Sequence, residues 1–312
     1  SILYGMFLLT AKPVIYAANV SEGDIEYNIT GGVIAGFDYS SEGGSIYVSK
    51  GKLYTYGVNI CGNKTSSNDY GGGAVYISTN STAELNNTTI SGNVSPSIGS
   101  GLVAANNAMV TMNKCTFNNN LINAPNNKYP DGGCVSVNKN STNTATLTMK
   151  NCVLENNSSI NRGYTAMTVN GIANLEDCEI INNKGFNGAI FVPYQGQLNL
   201  KNTTIKNNIS NVGSAGGMYC RSSTINLSGR IVIADNTSSE SNVYVEGDFK
   251  INIVGDGLEE GSLIGIFPHY FTYGQVANHT NFVLVSQNDV DYSSCFISDR
   301  PESYHVEYNS DG

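Results

Sequence analysis

Hydrophobic residues in this chain come in short alternating bursts. Ile46-Tyr47-Val48, Val75-Tyr76-Ile77 and Val135-Ser136-Val137 each set one variable side chain between two apolar ones. This period of two marks a strand with one buried face. No stretch shows the 3.6-residue apolar period of a packed helix. Matched in order, the bursts form columns. One inward column reads Ile46, Val75, Leu102, Val135, Met167, Ile190, Met218, Val243, and a second reads Val48, Ile77, Ala104, Val137, Val169, Val192, Cys220, Val245. Between them runs a mixed column of Tyr47, Tyr76, Val103, Ser136, Thr168, Phe191, Tyr219 and Tyr244. A second strand adds Leu85, Met112, Met149, Leu175 and Leu200. A third inward column reads Val58, Thr88, Cys115, Cys152, Cys178, Thr203, Ile231.

The period of the repeat is set by four-residue phrases that end at Asn63, Asn93, Asn120, Asn157, Asn183, Asn208 and Asn236, at separations of 30, 27, 37, 26, 25 and 28 residues. Gly-rich phrases such as Gly43-Gly44 and Gly72-Gly73 lead into the strands. So short a unit cannot close its own core and must stack on its neighbours. The Leu and Asn spacing does not fit leucine-rich repeats. The pattern therefore predicts an all-β protein, a single right-handed parallel β-helix of about eight coils spanning residues 43–254, with coils about 4.8 Å apart. Residues 1–42 and 255–312 break the pattern and are expected to cap the two ends. Asn tolerates the left-handed backbone of a sharp corner, and stacked amides can hydrogen-bond from coil to coil. The glycines suit the opposite corner. All of these positions are read as structural.

The motifs Gly72-Gly73-Ala74-Val75, Gly188-Ala189-Ile190 and Phe117-Asn118-Asn119-Asn120 resemble the GGA[ILV] and FxxN repeats of chlamydial polymorphic outer membrane proteins, over about residues 43–253. Many adhesin-like bacterial surface proteins with right-handed β-helices share the pattern. The resemblance implies an extracellular, often adhesive passenger, although no membrane barrel follows in this sequence. The tail from Gly257 to Ile266, with Phe296-Ile297-Ser298-Asp299, is similar to the closing segment of repeat-bearing surface proteins of Gram-positive bacteria.

Composition narrows the field further. Of 312 residues only 13% are charged, and the net charge is −9. The sixteen basic residues are scattered and form no cationic stripe for nucleic acid. No apolar run is long enough for a transmembrane helix. Two readings stand for residues 1–19: a remnant of a secretory signal peptide cleaved near Ala18, or a strand or short helix on the first coil. Strand-like runs at Leu263–Phe267, Asn281–Val285 and Tyr304–Tyr308 are expected to cover the last coil. Seven cysteines exclude a complete disulfide framework. Cys115, Cys152 and Cys178 read as small buried thiols, though their stacking distance would also permit one bridge.

Candidate chemistry is sparse. A polysaccharide-cleaving β-helix needs clustered carboxylates. The best set is Glu155, Glu176, Asp177 and Glu179, but Lys150, Glu176 and Lys201 align in one column, and Lys114, Asn151 and Asp177 in another, as in a surface charge ladder. His269, His279 and His305 lie outside the coils, and Asp69 and Asp131 read as turn residues. No metal or cofactor motif appears. The Asn-x-Ser/Thr triplets follow from composition, and a Thr-x-Thr ice-binding array occurs on one coil only. The outward aromatics Tyr47, Tyr76, Phe191, Tyr219 and Tyr244 are the candidate ligand contacts, stacking on sugar rings or a protein partner. The alternative for them is aromatic stacking that stabilises the sheet. The expectation is a non-catalytic, extracellular or surface-exposed, adhesin-like stalk that binds carbohydrate or a cell-surface protein. A β-helical lyase or hydrolase and a pure spacer are the alternatives.

Overall fold

The computed structural model describes residues 26–40, 43–66, 71–125, 132–161, 163–213, 215–238, 241–246, 250–269, 284–286, 290–299 and 301–302. The expectations for residues 1–19, Asp69, Asp131, His279, His305 and Tyr304–Tyr308 lie outside them. The chain winds as a right-handed parallel β-solenoid of about eight turns. One coil runs through four strands, Leu102–Ala104, Met109–Asn113, Thr116–Asn118 and Leu121–Asn123. Stacked coils make sheets of ten, eighteen and seven strands. The eighteen-stranded sheet is two ladders, joined where Leu263–His269 pairs with both Val232–Ala234 and Ser241–Glu246.

The inward columns stack in the expected register. Leu102 faces Val75 and Val135, and Met112 faces Leu85 and Met149. These side chains are at most 1% exposed and form one continuous core. The fourth strand is not predicted by the sequence, because its one inward position is mostly a small polar residue (Thr65, Ser95, Ser159, Ser210) and makes no apolar column. Among the described residues parallel pairing runs from Glu26 to Ser298, so the stretches expected to cap the rod contribute strands of their own. Among the described residues no helix is long and apolar enough to cross a membrane.

The corners divide the work that the sequence assigned to one Asn. The residue before it takes the left-handed conformation, φ 53° to 62°, at Gly62, Gly92, Asn119, Asn156, Asn182, Asn207 and Asp235. The Asn itself is buried and builds the ladder. Asn63 Nδ2 donates to Asn93 Oδ1 (3.0 Å), Asn93 to Asn120 (2.9 Å), and Asn120 to Asn157 (3.0 Å). Asn157, Asn183 and Asn208 continue it at 2.9–3.0 Å to Asn236. Every Oδ1 in this series also accepts the backbone N–H of the preceding rung, as in Asn120 N to Asn157 Oδ1 at 3.0 Å. At the C-terminal end Asn236 hands on to Asn242 (3.1 Å), and Asn242 donates its side chain and backbone to the two oxygens of Asp299, at 2.8 and 2.7 Å. Burial outweighs these bonds and holds the Asp299 carboxyl above its usual range.

A second left-handed column, Gly57, Asn87, Lys114, Asn151, Asp177, Asn202 and Gly229, turns the corner before it at φ 47° to 67°. This accounts for Lys114 and Asp177 as corner residues. At the glycine corner Gly72 has φ 83°, and a Cβ on Gly44 would lie 2.0 Å from the Gly73 carbonyl oxygen, so both expected reasons for glycine apply.

The seven cysteines are free thiols. The column shared by Cys and Thr has a hydrogen-bonding logic. Cys152 Sγ and Cys178 Sγ donate to the carbonyls of Lys150 and Glu176, both at 3.2 Å, as Thr88 and Thr203 Oγ1 do to Asn86 and Lys201 at 3.1 and 2.9 Å. Each gives a second donor to the carbonyl two residues earlier, which already accepts a backbone N–H from the preceding coil. Neighbouring thiols and burial hold Cys115 and Cys178 well above the ordinary thiol range, and burial pushes Cys134 up to about 12. They pack as small apolar groups with one weak donor.

Candidate functional site

The mixed column is continuous in space: Tyr47 pairs with Tyr76, and Phe191 with Tyr219 and on to Tyr244. Its three stretches have different surroundings. At the N-terminal end Tyr47 and Tyr76 are half-exposed and stacked, with centroids 5.4 Å apart and planes 17° off parallel. Tyr47 Oη donates to Ser78 Oγ at 3.4 Å, which fixes the tilt of its ring. In the middle, Val103, Ser136 and Thr168 are at most 1% exposed, so this part of the outer face is covered.

At the C-terminal end the aromatics form a cluster, and the expectation of a fully exposed ladder needs correcting. Phe191 is 7% exposed and Tyr244 is 4% exposed. Tyr164, from the turn before Met167, lies flat on Phe191 at 4.5 Å and 11°. Phe191–Tyr219 and Tyr219–Tyr244 follow at 5.3 Å, and Tyr244–Phe267 at 5.9 Å. Ala215, Tyr244 and Phe267 form a buried cluster separate from the main core, with Tyr219 against it. An aromatic side chain on an outer face loses more by hydration than it gains, and its neighbours of the same kind cover it. Tyr219 remains half-exposed. Tyr164 and Phe267 escaped the sequence reading: Tyr164 stands outside any column, and Phe267 lies in the stretch read as a cap.

The acidic set is split between sheets. Glu176 lies on the ten-stranded sheet, while Glu155 and Glu179 belong to short strands of the eighteen-stranded one. Glu176 bridges Lys150 (3.2 Å) and Lys201 (3.1 Å), as the columns predict. Lys201 and then Lys150 hold its carboxyl below the usual range. Asp177 accepts from Asn202 Nδ2 at 3.2 Å. A depressed carboxylate stabilises the fold above its unfolded pKa, and that contribution is lost as pH falls through the folded value. Glu176→Gln is therefore expected to lower the urea midpoint slightly at neutral pH and low salt. The difference should vanish in about 1 M salt, where screening is nearly complete, and once the wild-type carboxylate is protonated. A loss that persists in high salt would mean that packing, not charge, is what Glu176 supplies.

An outer amide row on the ten-stranded sheet was also missed. Asn199 Nδ2 donates to Asn174, Asn226 to Asn199, and Asn252 to Asn226, at 2.6, 2.6 and 2.8 Å. Its signal is visible in Ala173-Asn174-Leu175, Leu198-Asn199-Leu200, Ile225-Asn226-Leu227 and Ile251-Asn252-Ile253. Among the described residues no group of three or more His, Cys, Asp or Glu is placed to hold a metal ion.

No family model, curated protein or solved structure matches the chain. The fold class is thus a parallel β-solenoid on its own geometry, and none of these comparisons supports the resemblance to polymorphic outer membrane proteins or adhesins.

Proposed function

We propose that the protein is a non-catalytic, surface-exposed or secreted stalk of the adhesin-like kind, binding glycan or a partner protein through its outer face. The observation that carries this reading is the half-exposed, nearly parallel Tyr47–Tyr76 pair, fixed on a rigid stack of coils. Two nearly parallel, stacked rings one coil apart form a half-exposed apolar patch against which the flat face of a pyranose can rest. On the ten-stranded sheet the best-placed charged and polar groups are engaged with one another: Glu176 with two lysines, the outer asparagines along their row. That favours binding over cleavage.

A glycan array probed with the full chain tests the proposal. Tyr47→Ala and Tyr76→Ala are each expected to weaken the strongest hit about tenfold, the size of one aromatic contact and its buried area. Release of reducing or unsaturated sugars, abolished by Glu176→Ala or Asp177→Ala, would replace this reading with an enzymatic one. An array and a cell-surface binding screen that both stay empty would leave a spacer.

A further inference from the structure

The N-terminal part of the ten-stranded sheet carries an outer surface unlike the rest of that face. Three strands lie side by side there, Glu26–Thr30, Lys52–Tyr56 and Thr82–Asn86. Their alternation sends Leu53, Thr55, Ala83 and Leu85 into the core, where each is at most 5% exposed. The residues between them face outward. Parallel register places Tyr54 between Asn28 and Glu84, and Tyr56 between Thr30 and Asn86. Strands are about 4.8 Å apart, and same-face neighbours along one strand about 6.6 Å apart. These side chains thus make one patch, with two aromatic rings in the middle and a row of polar groups on each side. Glu84 and Asn86 are tied together, since Asn86 Nδ2 donates to Glu84 Oε1 at 3.1 Å. That bond turns the carboxylate toward Asn86 along its own strand.

Farther along the same sheet, outward groups engage one another. Asn174, Asn199, Asn226 and Asn252 form their amide row, and two lysines hold Glu176. The N-terminal patch is not engaged in this way. Among the described residues, neither Tyr54 nor Tyr56 stacks on another ring or hydrogen-bonds through its hydroxyl. Glu84 meets no cation there, and its second oxygen is open. Tyr56 is 58% exposed and Tyr54 is half-exposed, whereas Phe191 and Tyr244 on the other sheet are covered by aromatic neighbours. Two uncovered rings keep apolar surface in water that the apolar face of a ligand would remove from it.

We propose that this patch is a binding site for a neutral saccharide. The apolar face of a pyranose packs on Tyr54 and Tyr56, two adjacent hydroxyls donate to Glu84, and Asn86 serves as both donor and acceptor. An ionised carboxylate accepts hydroxyl protons strongly and repels a uronate or a sulfate, so acidic sugars are disfavoured. Asn28 and Thr30 meet the opposite edge of the sugar. The site rests on the glycan-binding reading and adds to it a second position and a sugar class. It lies on a different sheet from Tyr47 and Tyr76, so the two patches fail separately.

The test is calorimetric titration of the full chain with cellohexaose, xylohexaose and mannohexaose, and with hexagalacturonate and hexalysine as charged controls. At least one neutral hexamer is expected to bind with little dependence on salt, and hexagalacturonate at least tenfold more weakly. Tyr54→Ala and Tyr56→Ala should each weaken the neutral hexamer about tenfold, and Glu84→Gln several-fold. Tyr56→Phe, which keeps the ring, should retain most of the affinity. All of these side chains face solvent, and an unaltered urea midpoint in each variant separates a lost contact from a lost fold. Neutral binding that survives the alanine and glutamine substitutions overturns the proposal. So does hexagalacturonate or hexalysine binding as tightly at the same residues, or a chain that binds none of the hexamers. Neutral binding lost in Tyr47→Ala but intact in Tyr54→Ala and Tyr56→Ala overturns it while leaving the stalk reading standing.

Discussion

Asn157→Ala is expected to lower the unfolding free energy by about 3–5 kcal/mol, measured as the urea midpoint at unchanged slope. The side chain is fully buried in the middle of the inner ladder. Its Oδ1 accepts from both the backbone N–H and Nδ2 of Asn120, and its Nδ2 donates to the Phe117 carbonyl and to Asn183 Oδ1. Truncation strands two donors of Asn120 where no water reaches, and each stranded donor costs about 1–3 kcal/mol. Asn157→Asp separates the two halves of the role. As a carboxylate it still accepts from Asn120 but faces Asn183 Oδ1 with no proton to give, so its folded pKa is raised. The variant should then be most stable at acid pH and lose stability as pH rises through that folded pKa. A loss below about 1 kcal/mol in Asn157→Ala would show that the ladder is an ornament of the corner, not a support.

Phe117→Ala is expected to cost about 3–5 kcal/mol, the usual range for emptying a buried phenylalanine site. Phe117 stands in the column of Ile90 and Leu154 and is among the largest fully buried side chains. Room for the larger ring comes from Gly101 on the same coil, where a Cβ would lie 2.8 Å from Phe117 Cδ1 and 2.9 Å from Cys134 Sγ. The corresponding places on other coils hold Ser45, Ala74, Cys134, Ala166, Ala189 and Gly217. Gly101→Ala should therefore destabilise the wild type and do so much less on a Phe117→Leu background. The double-mutant cycle over these four proteins, read by denaturation, should show a coupling above about 0.5 kcal/mol. Simple additivity would mean that Gly101 serves the backbone alone.

The fold was legible because a solenoid writes its register into its sequence. Once the Asn phrases are aligned, Leu102, Val75 and Val135 must face one another, and they do. The charge column Lys150, Glu176, Lys201 was readable for the same reason, since partners one coil apart occupy equivalent positions. Legibility failed where contacts leave the register. Tyr164 reaches Phe191 from a turn, and Lys139 reaches Gln195 across an intervening coil. The exposure of Phe191 and Tyr244 was misjudged because period two tells which face a side chain takes, and not whether something else lies on that face. Two corners that share Asn could not be told apart by residue type, because Asn serves both a left-handed backbone and a hydrogen-bonded stack.

The inner ladder also gives the rod a head and a tail. The amide-to-amide bonds from Asn63 to Asn242 all run in one direction, while the second N–H of each Nδ2 from Asn63 to Asn236 returns to a carbonyl of the coil before, and the last side-chain bond falls on Asp299. Asp299 takes both bonds from Asn242 and has no amide N–H to pass on, so among the described residues the amide series ends there. At the opposite end, Asn63 Oδ1 accepts the backbone N–H of Phe37 at 3.2 Å, a group that any coil can present. Whole rungs can thus be spliced in or out ahead of Asp299 without altering the grammar of the bonds. The polymer is vectorial, and a single acidic side chain says where it stops.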